Sequence, residues 1–578
     1  KSCSTYPLGC ITQEQYSAVN AVGKVISGHR KRPLVLTADR GRGKSSALAI
    51  ACAQLMKAHE DDDFSIIITA PDIQALSVFY QQLKQSLIGV EQQAHNITFG
   101  KAKLAFIPVD QLIRVPNKVN LVLVDEAAAI PVYLLEQLLS SYHRMVFSST
   151  VHGYEGAGRG FTLKFQKTLD RVCPQWVNFH LNQPIRWRKN DPLEQLVFDA
   201  CLLNAELPKL TTIVTPQLDT SQSKVNVDCS FINKVDDQVF KVITVAQLLA
   251  DEVLLEQVFA VLVTAHYQTK PSDLQLLLDN PNIQLTCLFS SQHSNAELLA
   301  VALLMSEGAG NGVNDDDIRA VKNSKRRLRN HFLPQSLFSH CGFEEAFSYH
   351  YLRIMRIAVH PQIQQLGIGS KFLNHIELLA IEQGADFLGA SFGINVELLS
   401  FWLNGGFSIT RIGFTKDKAS GEHSALLVKG LNVKTNLKQT FFQSNFYQSF
   451  DYLLLEEYKT LTTELVFLLL RQSAKEDLST LSTLDISNVQ AFAKGERLYS
   501  SCCYSLYLWL KHDLVLDDKN RSDEVIKNCS VLIARLIQKH DSDTVCQQFG
   551  LTGKKMLNQK MKDYINYRLA STNFTTAK

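Results

Sequence analysis

The residues from Ala38 to Ser46, ADRGRGKSS, set Gly41, Gly43, Lys44, Ser45 and Ser46 directly behind a short apolar run, Leu34 to Thr37. Glycines at this spacing let successive backbone N–H groups turn toward one anion, the lysine supplies charge to terminal phosphates, and the hydroxyl can hold a metal ion. Ala38 stands where the phosphate-loop consensus has its first glycine, whereas Gly43, Lys44 and Ser45 match its end. The plainer alternative, a Gly-rich turn that only caps a helix, is weakened by LVLVDEAAAIP, which puts Asp125 and Glu126 at the end of an apolar run. A nucleotide-hydrolysing site needs one carboxylate beside its metal and another to orient water, and two acids ending a buried strand are rarely structural. The expected ligands are therefore ATP or GTP with Mg2+, the metal held by Ser45 and Asp125. Ser148 to Thr150 also ends an apolar run, as a helicase coupling motif would.

A second glycine turn lies in RIAVHPQIQQLGIGS, Arg356 to Ser370. A β-branched run ends at Val359, and Gln364, Gly367 and Gly369 follow in the Q/R-x-x-G-x-G/A arrangement of GNAT acetyltransferases. Backbone amides at such a helix N-terminus can face the pyrophosphate of acetyl-CoA while the preceding strand offers its backbone to the pantetheine arm. Two basic segments stand out: Lys325, Arg326, Arg327 and Arg329, which follow Lys322, and the stretch Lys554, Lys555, Lys560, Lys562 and Arg568 interleaved with Tyr564 and Tyr567. Either could neutralise RNA phosphates, with the tyrosines stacking on bases; the alternatives are a solvated helix face for the first and core aromatics for the second.

These groups need elements to hold them. From Pro33 to about Leu181, short apolar runs alternate with helical segments: Leu34 to Ala38, Ser65 to Ala70, Leu121 to Val124, Met145 to Ser149 and Trp176 to Leu181. That alternation predicts a mostly parallel α/β sheet. A polar stretch from Thr211 to Lys224 reads as a linker. A second α/β unit follows, with a helix through Val253 to His266 and strands Ile283 to Ser290, Leu298 to Ser306, Tyr349 to Val359, Phe387 to Phe392, Phe407 to Phe414 and Ser424 to Lys429. Its helices run after Gly367 and through Trp402, and Glu307 to Phe347 reads as an excursion. Beyond Thr435 the periodicity is helical: Tyr452 to Arg471, Val489 to Leu510, Glu524 to Lys539 and Lys554 to Leu569. The expected fold is thus multidomain α/β. A RecA-like P-loop ATPase or helicase-like module covers residues 1–215, a GNAT domain 225–435, and an all-helical RNA-binding tail 436–578.

Length and composition agree with this division. At 578 residues, 46% hydrophobic and 20% charged, the chain is expected to fold as several globular domains. A formal net charge of +3 leaves nucleic-acid binding to local patches. The twelve cysteines contain no CxxC pair, so reduced thiols are expected. With no signal-like start and no apolar stretch of spanning length, the expected location is cytoplasmic, without membrane contact or an obligatory protein partner.

In their order, GRGKS, DEAAAIP, SSTVHGYEGAGRGF and QPIRW make the chain resemble the RNA cytidine acetyltransferases, whose bacterial members are tRNA(Met) cytidine acetyltransferases. The resemblance runs from about Thr12 to Leu431 and more loosely into the tail. The chain starts at Lys1 rather than a methionine, and the upstream domain of full-length bacterial members is expected to be absent. The resemblance implies that Gln15 and Arg186 complete the ATP site. It implies that Ile357, Ala358 and Val359 line acetyl-CoA together with Gln364, Gln365, Leu366, Gly367, Ile368, Gly369 and Ser370, and that Glu397 and Asn404 also contact it, although the family commonly has a basic residue at the position of Asn404. The substrate it implies is tRNA, with the wobble cytidine of elongator tRNA(Met) expected.

Acetylating the exocyclic amine of cytosine requires a base, because the lone pair is delocalised into the ring. His266, in a TAHYQTKPSDLQ segment similar to the family's HY-x-x-x-P-x-DL, is the first candidate, ahead of His350 and His360, and a satisfied core histidine is the alternative reading. Tyr267 is expected to protonate the departing thiolate or to stack on the base. Two other functions compete: a GNAT enzyme for protein or small amines with a regulatory ATPase, and an RNA-remodelling ATPase whose GNAT domain is a scaffold. The basic segments argue against the first and the intact QxxGxG turn against the second.

Overall fold

The computed structural model describes residues 6–93, 95–114, 118–150, 159–210, 238–264, 271–291, 296–309, 312–417, 421–473, 481–516 and 523–571. The expected linker from Thr211 to Lys224 lies outside them. Contacts divide the chain into two compact units, one of Lys1–Met305, Ile354–His375 and Asp417–Gly421, the other of Ser306–Arg353, Ile376–Lys416 and Glu422–Lys578.

The first unit is built on an eight-stranded sheet of β1 (Leu34–Ala38), β2 (Ser65–Thr69), β3 (Glu91–Gln93), β4 (Asn96–Phe99), β5 (Ala102–Phe106), β6 (Leu121–Val124), β7 (Met145–Thr150) and β8 (Val177–Leu181). Their order is β3-β4-β5-β2-β6-β7-β1-β8. β1 runs parallel to β7 and β8, and β2 parallel to β5 and β6. All five residues of β1 are buried, as in a strand covered on both faces. Its side chains alternate between two cores: Leu34, Leu36 and Ala38 pack with Ala18, Val22, Ala47 and Leu48 from helices α1 (Gln13–Ser27) and α2 (Lys44–Ala58), whereas Val35 packs with Val122, Val124, Phe147, Leu135 and Leu138 on the other face. The strand order has one consequence for the site: β7 lies between the strand that feeds the phosphate loop and the strand that ends in Asp125.

The seven-stranded sheet comprises β9 (Val239–Ile243), β10 (Ile283–Phe289), β11 (Leu298–Gly308), β12 (His350–Val359), β13 (Phe387–Gly393), β14 (Ser408–Lys416) and β15 (His423–Gly430), in the order β14-β15-β13-β12-β11-β10-β9. The excursion between β11 and β12 contains the helices Asp315–Lys322 and Phe332–Cys341.

The tail is helical, but two expected helices are each divided. Residues 452–471 span the end of Val433–Leu453 and the separate helix Thr463–Leu470; the latter starts where the Thr462 side chain accepts from Leu465 N–H at 3.4 Å. Between them Tyr458 is buried and donates to Ile412 O at 2.6 Å. Residues 489–510 are likewise split, because Gly495 at φ +85° ends Thr483–Lys494 before Tyr499–Val515 begins. The last helix, Lys554–Ser571, corrects part of the expected RNA surface. Tyr564 and Arg568 are core residues, donating to Asp513 at 2.5 and 2.7 Å, while Lys554, Lys555 and Tyr567 are exposed. Since Arg568 and Asp513 are both almost wholly buried, Arg568→Ala would strip the Asp513 carboxylate of its guanidinium counter-charge inside the core. A loss of about 3–5 kcal/mol in unfolding free energy is expected by denaturant titration, against no measurable change for Lys554→Ala.

Candidate functional site

The phosphate loop joins β1 to α2. Gly41 and Gly43 adopt φ of +80° and +82°, and Gly43 is the cap from which α2 starts at Lys44. A Cβ on Gly43 would lie 2.4 Å from Ile185 Cδ1 and 3.2 Å from Gln15 Nε2; one on Gly41 would lie 2.6 Å from the Trp187 ring. The QPIRW segment therefore closes directly on the loop, with Ile185 N–H donating to Gly41 O at 2.9 Å. Gln15 is 1% exposed and accepts from Ile11 N–H at 2.8 Å, which fixes its amide against Gly43.

A cavity of about 560 Å3 opens here, lined among others by Gly41, Gly43, Lys44, Ser45, Ser46, Glu126, Thr150 and Arg186. The inserted strand β7 ends in Thr150, whose hydroxyl accepts from Lys44 Nζ at 2.9 Å and donates to Glu126 Oε2 at 3.2 Å. Glu126 sits at φ +47°, a left-handed conformation that costs a non-glycine residue energy, and its N–H donates to Asp125 Oδ1 at 3.0 Å. Asp125 is fully buried, and its Oδ2 has no hydrogen-bond partner among the described residues. A buried carboxylate oxygen left open in this way suits a cation or its water shell. Sequence reasoning had singled out Thr150 only as part of a tripeptide; its place between lysine and glutamate depends on strand order. Arg42 was not singled out. It is buried beside the Trp187 ring and pairs with Glu194 at 2.7 Å.

The second turn follows β12. His360 is 2% exposed; its Nε2 lies 3.0 Å from Pro208 O and its Nδ1 accepts from Gln362 N–H at 3.3 Å, so both ring nitrogens are engaged in shaping the turn. Gln364 Nε2 then donates to Val359 O at 3.0 Å. Gln365 and Gly367 take φ of +65° and +81°, and Ile368 begins a helix running to Glu382. Gln364, Gln365, Leu366, Gly367 and Ser370 are exposed, Gly369 is partly exposed and Ile368 is buried. A Cβ at Gly367 would meet nothing within 4 Å, so the turn presents open backbone at a helix N-terminus. Burial holds the His360 imidazole below its ordinary value. The neutral ring is thus favoured in the fold; its contribution is complete above about pH 6.5 and is lost as pH falls through the lowered value. Acetyl-CoA binding followed by calorimetry is accordingly expected to weaken on acidification below the ordinary imidazole range, and His360→Asn to flatten that dependence.

Just before this turn, Arg356 donates to Asp273 Oδ1 at 2.5 Å, with both side chains largely buried. The ion pair ties the helix Pro271–Asp279 to the start of the Ile357 to Val359 strand segment. Its partners are 83 residues apart in sequence, a separation that no local pattern encodes. His266 and Tyr267, the expected base and acid, lie outside the described residues. Glu397 and Asn404 sit exposed in the first and last turns of the helix Val396–Asn404. Lys325, Arg326, Arg327 and Arg329 are exposed, but Arg326 pairs with Asp317. No group of three or more His, Cys, Asp or Glu residues that could hold a metal occurs among the described residues, nor any helix long and apolar enough to cross a membrane.

A mostly parallel sheet with a phosphate loop and a seven-stranded sheet with a helix-initiating glycine turn define a helicase-like module joined to a GNAT acetyltransferase domain. Comparison with known proteins agrees. Residues 35–204 match the family described as RNA cytidine acetyltransferase NAT10/TcmA, helicase domain, and residues 257–382 and 378–432 match GNAT acetyltransferase 2. The tRNA(Met) cytidine acetyltransferase TmcA of Nitrosococcus halophilus is 35% identical over 554 residues, covering 96% of this chain and 70% of its own. Its Vibrio cholerae counterpart is 34% identical over 96% of this chain and 72% of its own. The chain belongs to the RNA cytidine acetyltransferase family.

Proposed function

We propose that the protein transfers an acetyl group from acetyl-CoA to the exocyclic amine of a tRNA cytidine, the wobble cytidine of elongator tRNA(Met), and that ATP turnover drives the step. In this division of labour residues 1–215 hydrolyse nucleotide, 225–435 transfer acetyl and 436–578 hold RNA through Lys554 and Lys555. One observation carries the reading: the chain contains two separate anion-cradling turns, and Gly43 and Gly367 each stand at a strand-to-helix junction with φ near +80°.

At the first turn, nucleotide phosphates would compete with Thr150 for Lys44 while Gln15 and Arg186 border the nucleotide. Ser45 and Asp125 are the groups that would hold Mg2+, which would offset charge developing on the terminal phosphates. At the second, the pyrophosphate of acetyl-CoA would rest on the amides of Leu366 to Ser370, with Glu397 and Asn404 contacting the cofactor. Transfer forms a bond from nitrogen to the acetyl carbon and breaks the carbon–sulfur bond. His266 takes the proton the amine loses, and Tyr267 gives one to the departing thiolate. Extruding a cytosine from a folded anticodon arm costs a few kcal/mol of stacking, which ATP hydrolysis can supply.

The test is mass spectrometry of nucleosides from total tRNA incubated with the protein, acetyl-CoA and ATP. N4-acetylcytidine formed only with both cofactors supports the proposal; acetyl found on protein or small amines but not on RNA would sink it.

A further inference from the structure

Among the described basic residues of the excursion, three have acidic partners. Arg319 pairs with Asp316 at 2.5 Å, Lys322 with Glu344 at 3.0 Å, and Arg326 with Asp317. Arg327 and Arg411 have no ion pair among the described residues, and the fold brings them to one place.

The register of β14 against β15 shifts between Ile409, opposite Leu427, and Arg411, opposite Leu426, so Thr410 is an extra residue. A bulge re-aims the side chains around it. Thr410 itself is satisfied: its hydroxyl donates to Leu426 O at 3.1 Å, and its carbonyl accepts from Cys341 Sγ at 3.8 Å. That contact ties the end of the helix Phe332–Cys341 to the bulge, so His340 and Arg411, chain neighbours of the bonded pair, come together. Arg327 is drawn to the same helix because Leu328 N–H donates to Gln335 Oε1 at 2.8 Å. The His340 imidazole responds to both guanidinium groups: burial lowers its pKa first, then Arg411, then Arg327. Glu457, beside Tyr458 in the neighbourhood of Arg411, is exposed and pairs with neither arginine.

We propose that Arg327, Arg411 and His340 form a cradle for a single RNA phosphodiester, an inference that rests on the RNA-modifying reading above. Guanidinium forks match the two non-bridging oxygens of a phosphate, and two positive charges held together without an acid gain from an anion between them. The C-terminal end of a helix carries only about half a negative charge, too little to cancel two guanidinium groups. Two guanidinium groups and one imidazole supply the donors for a single phosphate group, which favours one phosphate of a polyanion.

The experiment measures tRNA binding by the full chain across a KCl series for wild type, Arg327→Gln, Arg411→Gln and the double variant. Each single change is expected to weaken binding several-fold. The double variant should lower the slope of log affinity against log salt by about one unit in total, since one phosphate is lost rather than two. Acetyl-CoA affinity, ATP hydrolysis and the thermal midpoint should stay at wild-type values. The exposed Arg327→Gln serves as the second probe should Arg411→Gln fail to fold. Wild-type slopes in the variants, or a double variant losing two units, would overturn the cradle alone; a wild type that did not bind tRNA would overturn the RNA reading and the cradle with it.

Discussion

Lys44→Ala is expected to lower nucleotide hydrolysis by about 100-fold or more and to remove RNA acetylation with it, while acetyl-CoA still binds. Lys44 is 6% exposed and spends its charge on Thr150, which in turn engages Glu126. The substitution therefore removes the ammonium that would meet the terminal phosphates. It also leaves Thr150 holding only the residue expected to orient water. The measurements are phosphate release, N4-acetylcytidine yield and calorimetric titration with acetyl-CoA on the same preparation. Modification that persisted without nucleotide turnover would disconnect the ATPase from the acetyl step. Retained hydrolysis would mean that Lys44 does not face phosphate at all.

The phosphate-loop residues and the acids Asp125 and Glu126 could be read in the sequence because the strands before them, β1 and β6, are buried on both faces. Such strands appear as unbroken apolar runs, and β1 and β6 have the expected limits, Leu34–Ala38 and Leu121–Val124. The antiparallel edge of the same sheet was not legible: β3 reads Glu-Gln-Gln and β4 begins at an exposed Asn96, so neither shows an apolar run. The edge strand β9, with Lys241 exposed at its centre, was missed for the same reason. In the tail the apolar periodicity runs through the breaks at Thr462 and Gly495, so only cap chemistry could have divided the helices. Composition also could not tell a basic surface from a buried pair. Arg568 and Tyr564 look like their exposed neighbours in sequence but converge on Asp513. The contacts that give the nucleotide site its geometry span long separations: Lys44 meets Thr150 106 residues away, which no local pattern encodes.

Gly367→Ala is expected to weaken acetyl-CoA binding by about 10- to 100-fold in a protein that still folds, and the corresponding change at Gly43 cannot make this distinction. At Gly43 an added Cβ would strike Ile185 at 2.4 Å, so loss of activity there mixes packing damage with loss of the anion site. At Gly367 no atom lies within 4 Å of the added methyl. The folded protein then bears only the left-handed backbone, φ +81°, a cost of about 1–2 kcal/mol for alanine. The methyl instead occupies the open face where backbone amides at the start of the helix Ile368–Glu382 would approach pyrophosphate. A 10- to 100-fold loss of affinity corresponds to about 1.4–2.8 kcal/mol, the same order as the folding cost. Calorimetry with acetyl-CoA and thermal melting of the same variant separate the two. Wild-type affinity in a stably folded Gly367→Ala protein would place the cofactor elsewhere. An unfolded variant would show that the turn is held by packing the open face does not reveal.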